Sequence, residues 1–234
     1  MEDLSAEEHL TELRTRILFC LLFFVPTLLV GFWLCPHFLR SLEGLAPKGT
    51  IFFQLKPGEL LFVYVRLTCI LAVVLALPFC LFQVAAFLWP ALKKKEKYIL
   101  VTLFGGGSVL FALGLSFAYG VALRPLLGFL LGFGVDLSLV QPQYSLDYFV
   151  ALVLGLLLVF GIMFQIPILL FVLALLDLIS SAQLWTYWKQ ALFASFVIAA
   201  IATPTPDPIN MLILGCAIAG LYAISLVLIK LCGK

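Results

Sequence analysis

The sequence predicts an all-α integral membrane protein with six transmembrane helices and both termini on the inner side. Three observations predict it. Of 234 residues, 64% are hydrophobic and only 11% are Asp, Glu, Lys or Arg, where a soluble domain carries about 25% charged residues. Mean hydropathy is +1.20, so too little polar surface exists to coat a water-soluble globule. Apolar runs recur at lengths that suit a bilayer, which needs roughly 20 residues at about 1.5 Å rise. Lys and Arg also segregate to alternate loops.

The chain opens on a polar segment, residues 1–16, that includes EEHLTELRTR. Ser5-Ala-Glu-Glu8 forms a capping box, which predicts a helix from Ser5. Leu10, Leu13 and Ile17 fall on one apolar stripe, and Glu12 and Arg16 form an i,i+4 pair. The segment therefore reads as an amphipathic helix at the inner surface, running into span one. Residue chemistry alone leaves it as an interfacial anchor or as part of a binding site.

Span one covers residues 17–38. Phe32, Trp33 and Leu34 before Cys35 offer no small-residue cleavage site, so the run is a retained span and not a signal peptide. Span two covers 58–89, with Arg66 near its start and Pro78 inside. Arg66 reads as snorkelling toward the outer interface. Span three covers 99–123, and span four covers 148–176 with Gln165 and Pro167 inside. Asp147 reads as the cap of span four; Asp177 ends it. Span five, residues 191–202, gives only about 18 Å of helix. The Thr203–Pro208 sequence TPTPDP makes a tight turn because proline removes donors and forbids helix. Span six covers 211–229.

Orientation follows from the basic residues. With the N-terminus inside, nine lie inside: Arg14, Arg16, Lys93, Lys94, Lys95, Lys97, Lys189, Lys230 and Lys234. Arg40, Lys48, Lys56, Arg66 and Arg124 make the other five. The short loop KKKEK decides the bias. Its lysines hold the loop inside, but that does not account for Glu96. Glu12 and Glu96 are two carboxylates on one face, and paired charge-assisted bonds to such groups suit a ligand with two guanidiniums.

Several classes find little support. The six cysteines form no CxxC pair and read as small hydrophobes. His9 and His37 stand apart from them, so no metal site or cofactor is expected. A net charge of +2 suggests no nucleic-acid partner. Asp177 and Asp207 could be imagined as a catalytic pair, but the topology puts them on opposite faces, and no HExxH or GxSxG occurs. A small-solute transporter would want several ionisable groups near the midplane, where only Gln165 lies. A membrane scaffold shares every feature named so far.

HLTELRTRI stands at the opening of the chain, and LPFCLFQVAAFLWPALKKKEK at the end of span two and the first inner loop. GSVLFALGLSFAYGVALRPLLGFLLGFG, VFGIMFQIPILL and ATPTPDP stand at span three and its exit, the middle of span four and the turn between spans five and six. In this order and spacing, these segments resemble the TatC family, the polytopic core of the twin-arginine protein translocase. The resemblance implies a concave, glove-like arrangement with short fifth and sixth spans. It implies a receptor for twin-arginine signal peptides of folded cargo, exporting them with the proton-motive force. It further implies small single-span partner subunits, a homo-oligomer within a receptor complex, contact with membrane lipid, and a bacterial cytoplasmic or thylakoid-type membrane. Carried over by motif, the signal-peptide site is Glu12, Leu13, Arg14, Arg16, Phe87, Pro90 and Glu96. Gln165 and Asp207 are the polar residues implied in partner docking. Many relatives carry Glu at the position of Gln165, and a neutral amide there argues against an obligatory proton carrier. Lys95 and Lys97 also depart from the family's common His and Arg.

Overall fold

A computed structural model describes residues 6–46, 50–91, 94–132, 143–202 and 208–231. Five helices are long and apolar enough to cross a membrane, and Trp188–Ala202 is shorter. The opening helix α1, Ala6–Glu43, runs unbroken for 38 residues, about 57 Å. The polar opening and the first apolar run are thus one rod. Ser5, its expected cap, lies outside the described residues. Leu10, Leu13 and Ile17 stay exposed on the protein, so their stripe is left for the membrane interface.

Helix α2, Glu59–Leu88, runs back along α1. Gly31 permits their close approach: a Cβ there would sit 2.9 Å from the Thr68 carbonyl oxygen. Phe23 stacks on Phe79 with ring centres 4.3 Å apart. After a 3-10 turn at Trp89–Ala91 comes α3, Lys94–Phe117. A π turn at Ala118–Ala122 joins it to α4, Leu123–Gly132. Span four is two helices: α5, Leu146–Met163, and α6, Ile166–Leu175. The break falls at Phe164 and Gln165, where Pro167 supplies no amide donor to the first turn of α6. Gly114 of α3 lets α5 pass closely, since a Cβ would meet the Phe160 carbonyl at 2.8 Å.

Asp177 has a role the sequence did not reveal. Its φ of 56° puts it in the left-handed region. Leu178 N–H donates to the Leu173 carbonyl and Asp177 N–H to that of Ala174, so Asp177 is the turning residue of a Schellman cap on α6. Then follow α7, Ser181–Thr186, α8, Trp188–Ala202, and α9, Pro208–Leu231. Of the two spans expected to be short, α8 is short at 15 residues, while α9 has 24, a full span.

The end of the molecule away from the start of α1 holds a feature with no sequence precursor: a two-stranded parallel bridge between β1, Ile51–Phe53, and β2, Gln143–Ser145. The buried Glu59 carboxylate ties it down. It accepts from the backbone N–H of Leu55 at 2.6 Å, Lys56 at 3.1 Å and Asp147 at 3.2 Å, and from the Ser145 hydroxyl. Arg66 does not simply snorkel; its Nη1 lies 2.7 Å from Asp147 Oδ1. Asp147 holds that guanidinium instead of capping α5.

The main core gathers Val63 and Leu67 of α2, Leu123, Leu126 and Leu127 of α4, and Val150, Leu156 and Phe160 of α5. A smaller one joins Ala85, Phe104, Phe171, Leu184 and Ile229 toward the other end. Cys35 is buried, whereas Cys69 and Cys216 are exposed, and all five described cysteines are free.

Candidate functional site

The site is organised by Arg16. Its Nε and Nη2 donate to Glu12 Oε1 at 3.0 and 2.5 Å. Its Nη1 donates to Gln83 Oε1 at 3.2 Å, and Nη2 also reaches the Ala86 carbonyl at 3.1 Å. One guanidinium therefore joins a carboxylate on its own helix to a side chain and a backbone oxygen of α2. Only the planar, five-donor arginine head can serve such divergent acceptors at once.

This knot forms the rim of a cavity of about 730 Å³. Glu12, Arg16 and Pro90 lie at its polar edge; Phe82, Trp89 and Phe104 give it an aromatic wall. Pro78, Ala85, Ala86, Gly105 and Ser108 complete the lining. A second cavity of about 280 Å³ shares Arg16 and is lined by Leu13 and Phe87 together with Gln83, Cys20 and Cys80. The large cavity lies among α1, α2, the Trp89–Ala91 turn and α3, and the small one between α1 and α2; both sit at the end of the molecule where α1 begins.

The expected site residues are therefore placed unevenly. Glu12, Arg16 and Pro90 converge on the large cavity, and Leu13, Arg16 and Phe87 on the small one. Arg14 is exposed and lines neither; Arg16, not Arg14, organises the Glu12 carboxylate. Glu96 falls in the first turns of α3, which begins at Lys94, three residues after the Trp89–Ala91 turn. Its side chain and all of Asp207 lie outside the described residues.

Gln165 is set apart from the cavity. Its Nε2 donates to the Gly107 carbonyl at 3.1 Å, and its buried Oε1 has no partner among the described residues. Gly105, which lines the cavity, is two residues from Gly107, about 200° around α3. Phe104 and Ser108 also line the cavity, about 60° and 100° from Gly107, so Gln165 docks on a neighbouring face of that helix.

Sequence reasoning missed Gln83 and the aromatic wall. Gln83 had a signal: it is the only polar side chain in LPFCLFQVAAFLW, and polar groups within spans are costly unless bonded. Phe82 and Phe104 had none, being two among 22 phenylalanines.

The cavity offers three things to a ligand. The Glu12 carboxylate attracts a cation. The aromatic faces favour a guanidinium through cation–π contact. The apolar floor takes a hydrophobic segment that follows the charge. Such a bundle of apolar spans, with a charged cleft at one end, is that of a multi-pass membrane protein. The family model of the Sec-independent protein translocase protein (TatC) matches residues 8–216. The chain belongs to the TatC family, a family of translocase components and not of enzymes.

Relatives agree in length as well as sequence. The TatC of Synechocystis is 36% identical, over 99% of this chain and 90% of that protein. The TatC of Helicobacter pylori is 34% identical, over 98% of this chain and 88% of its own. A crystal structure of the twin-arginine translocase receptor TatC superposes with a TM-score of 0.83 at 33% identity, covering 97% of this chain and 100% of that one.

Proposed function

We propose that this chain is the receptor subunit of a twin-arginine translocase and binds paired-arginine signal peptides of folded cargo beside Arg16. The observation that carries this reading is the Glu12–Arg16 knot at the mouth of an aromatic, apolar-floored cavity. In this reading Glu12 is already charge-matched by Arg16, so one carboxylate does not suffice for two guanidiniums. Glu96, a few residues beyond the Pro90 edge, is the second acid. Signal binding shares or displaces Arg16 on Glu12 while the incoming apolar segment lies against Phe82 and Phe104.

Gln165 supports the second half of the proposal. Gln165 is only half-buried, so a single-span subunit can pack beside it, and a turn of its amide brings the unpartnered Oε1 to a polar donor there. Asp207 is proposed as the outer-face contact of such a subunit. Several copies of the chain assemble in the receptor complex, and export draws on the proton-motive force without proton transfer through Gln165.

The test is binding of a labelled twin-arginine peptide to membranes carrying Glu12→Gln, Glu96→Gln or both. Loss of one charge-assisted bond costs about 1.5–3 kcal/mol, so each single change should weaken binding by roughly ten- to a hundredfold. Undiminished binding by the folded double variant would contradict the site.

A further inference from the structure

We propose that a groove between α7, the start of α8 and the last turns of α9 binds one anionic phospholipid. The groove arises from unequal lengths. Helix α8 has 15 residues, about 22 Å, and packs against α9, which has 24, about 36 Å. Beyond the start of α8, α9 packs on α6 and α7 instead, and α7 does not extend the line of α8 along it. The wedge left over is a cavity of about 390 Å³, walled by Trp185, Trp188, Leu192, Tyr222, Leu226 and Val227.

Apart from the indole N–H groups of Trp185 and Trp188 and the Tyr222 hydroxyl, these walls are apolar. The Tyr222 hydroxyl is committed to the Leu184 carbonyl at 2.8 Å. An apolar cavity does not hold water, so in a bilayer an acyl chain is its natural filling. A helix is about 10–12 Å across, and a cavity of this volume cannot seat two turns of one.

The mouth selects the headgroup. Lys189 Nζ lies 5.9 Å from the Trp188 ring centre. Lys230 follows Leu226 by four residues, on the same face of α9. No Asp or Glu occurs in α7, α8 or α9 to oppose these cations. Trp185 and Trp188 are 67% and 46% exposed, and tryptophan is enriched at the level of the lipid headgroups. A phosphate between two lysines, with its chain beneath two indoles, satisfies both halves of the groove.

The protein would be reconstituted in vesicles of equal phosphatidylglycerol and phosphatidylcholine, extracted gently, and its retained lipid read by native mass spectrometry. One phosphatidylglycerol should remain. Lys189→Gln with Lys230→Gln should lower its retention roughly thirtyfold, since each of the two lysines near an anionic surface contributes about 1 kcal/mol. Ala223→Phe, which fills the groove, should lower it similarly. Should that variant not fold, quenching of tryptophan fluorescence by chain-brominated phosphatidylglycerol, lost in Trp185→Phe with Trp188→Phe, reads the groove without it. Equal retention of both lipids would overturn the proposal, as would indifference to the lysine change. So would indoles shielded from brominated chains, which would mean that a second copy covers the groove.

Discussion

At the scale of single residues, Arg16 explains more of the site than either carboxylate. It has acceptors on two helices, and no other side chain could bridge them all. Arg16→Lys keeps the charge but loses the fork. It should weaken peptide binding roughly tenfold, through the loss of at least one charge-assisted bond. Arg16→Gln should weaken it more, and equilibrium binding on matched amounts of folded protein checks both. The Glu12–Arg16 pair was legible in the sequence because it obeys helix spacing. The partners on α2 were not, because they come from 67 and 70 residues away, and no local rule links such positions. Gln165 shows the same limit. Its polarity within span four marked it, but only the fold turns its amide toward Gly107. Gln165→Leu should leave signal-peptide binding intact while lowering crosslinking to single-span subunits several-fold, since an interhelical bond in a membrane contributes about 1 kcal/mol.

At the scale of elements, the spans were legible because hydrophobic length is a strong signal in lipid. The boundaries shifted where other forces acted. Span four splits at Gln165, and the π turn at Ala118–Ala122 interrupts span three's helix. The β1–β2 bridge was not legible at all, since three-residue strands carry no periodicity. Its stability depends on the buried Glu59 and its four hydrogen bonds. Glu59→Gln should loosen the loops at this end, read as faster hydrogen exchange at Leu55, Lys56 and Asp147. Helix contact depends on glycine: Gly114→Ala would push a methyl into the Phe160 carbonyl. Overpacking of that kind costs about 1–3 kcal/mol, measurable as a lower midpoint of denaturant unfolding in detergent.

At the scale of the whole molecule, one short span among long ones sets the relation to the bilayer. Helix α8 covers about 22 Å, against about 30 Å of hydrocarbon. The membrane beside α8 and α9 should therefore thin or tilt to meet it. Reconstitution in phosphatidylcholines of decreasing chain length should raise the unfolding temperature until the thickness suits α8, then lower it as the longer helices become mismatched. The charged cavity lies at the end of the molecule where α1 begins, the inner side in the orientation that Lys and Arg favour. The account joins these features in one claim: a twin-arginine segment meets Glu12 and Glu96 at the mouth of the large cavity among α1, α2 and α3. Site-specific photocrosslinking from position 96 in membranes tests it most directly, with signal peptides bearing paired arginines or paired lysines. The account predicts a strong crosslink with arginines that falls with lysines, since lysine lacks the bidentate fork. No crosslink with either peptide, from folded and inserted protein, would contradict it.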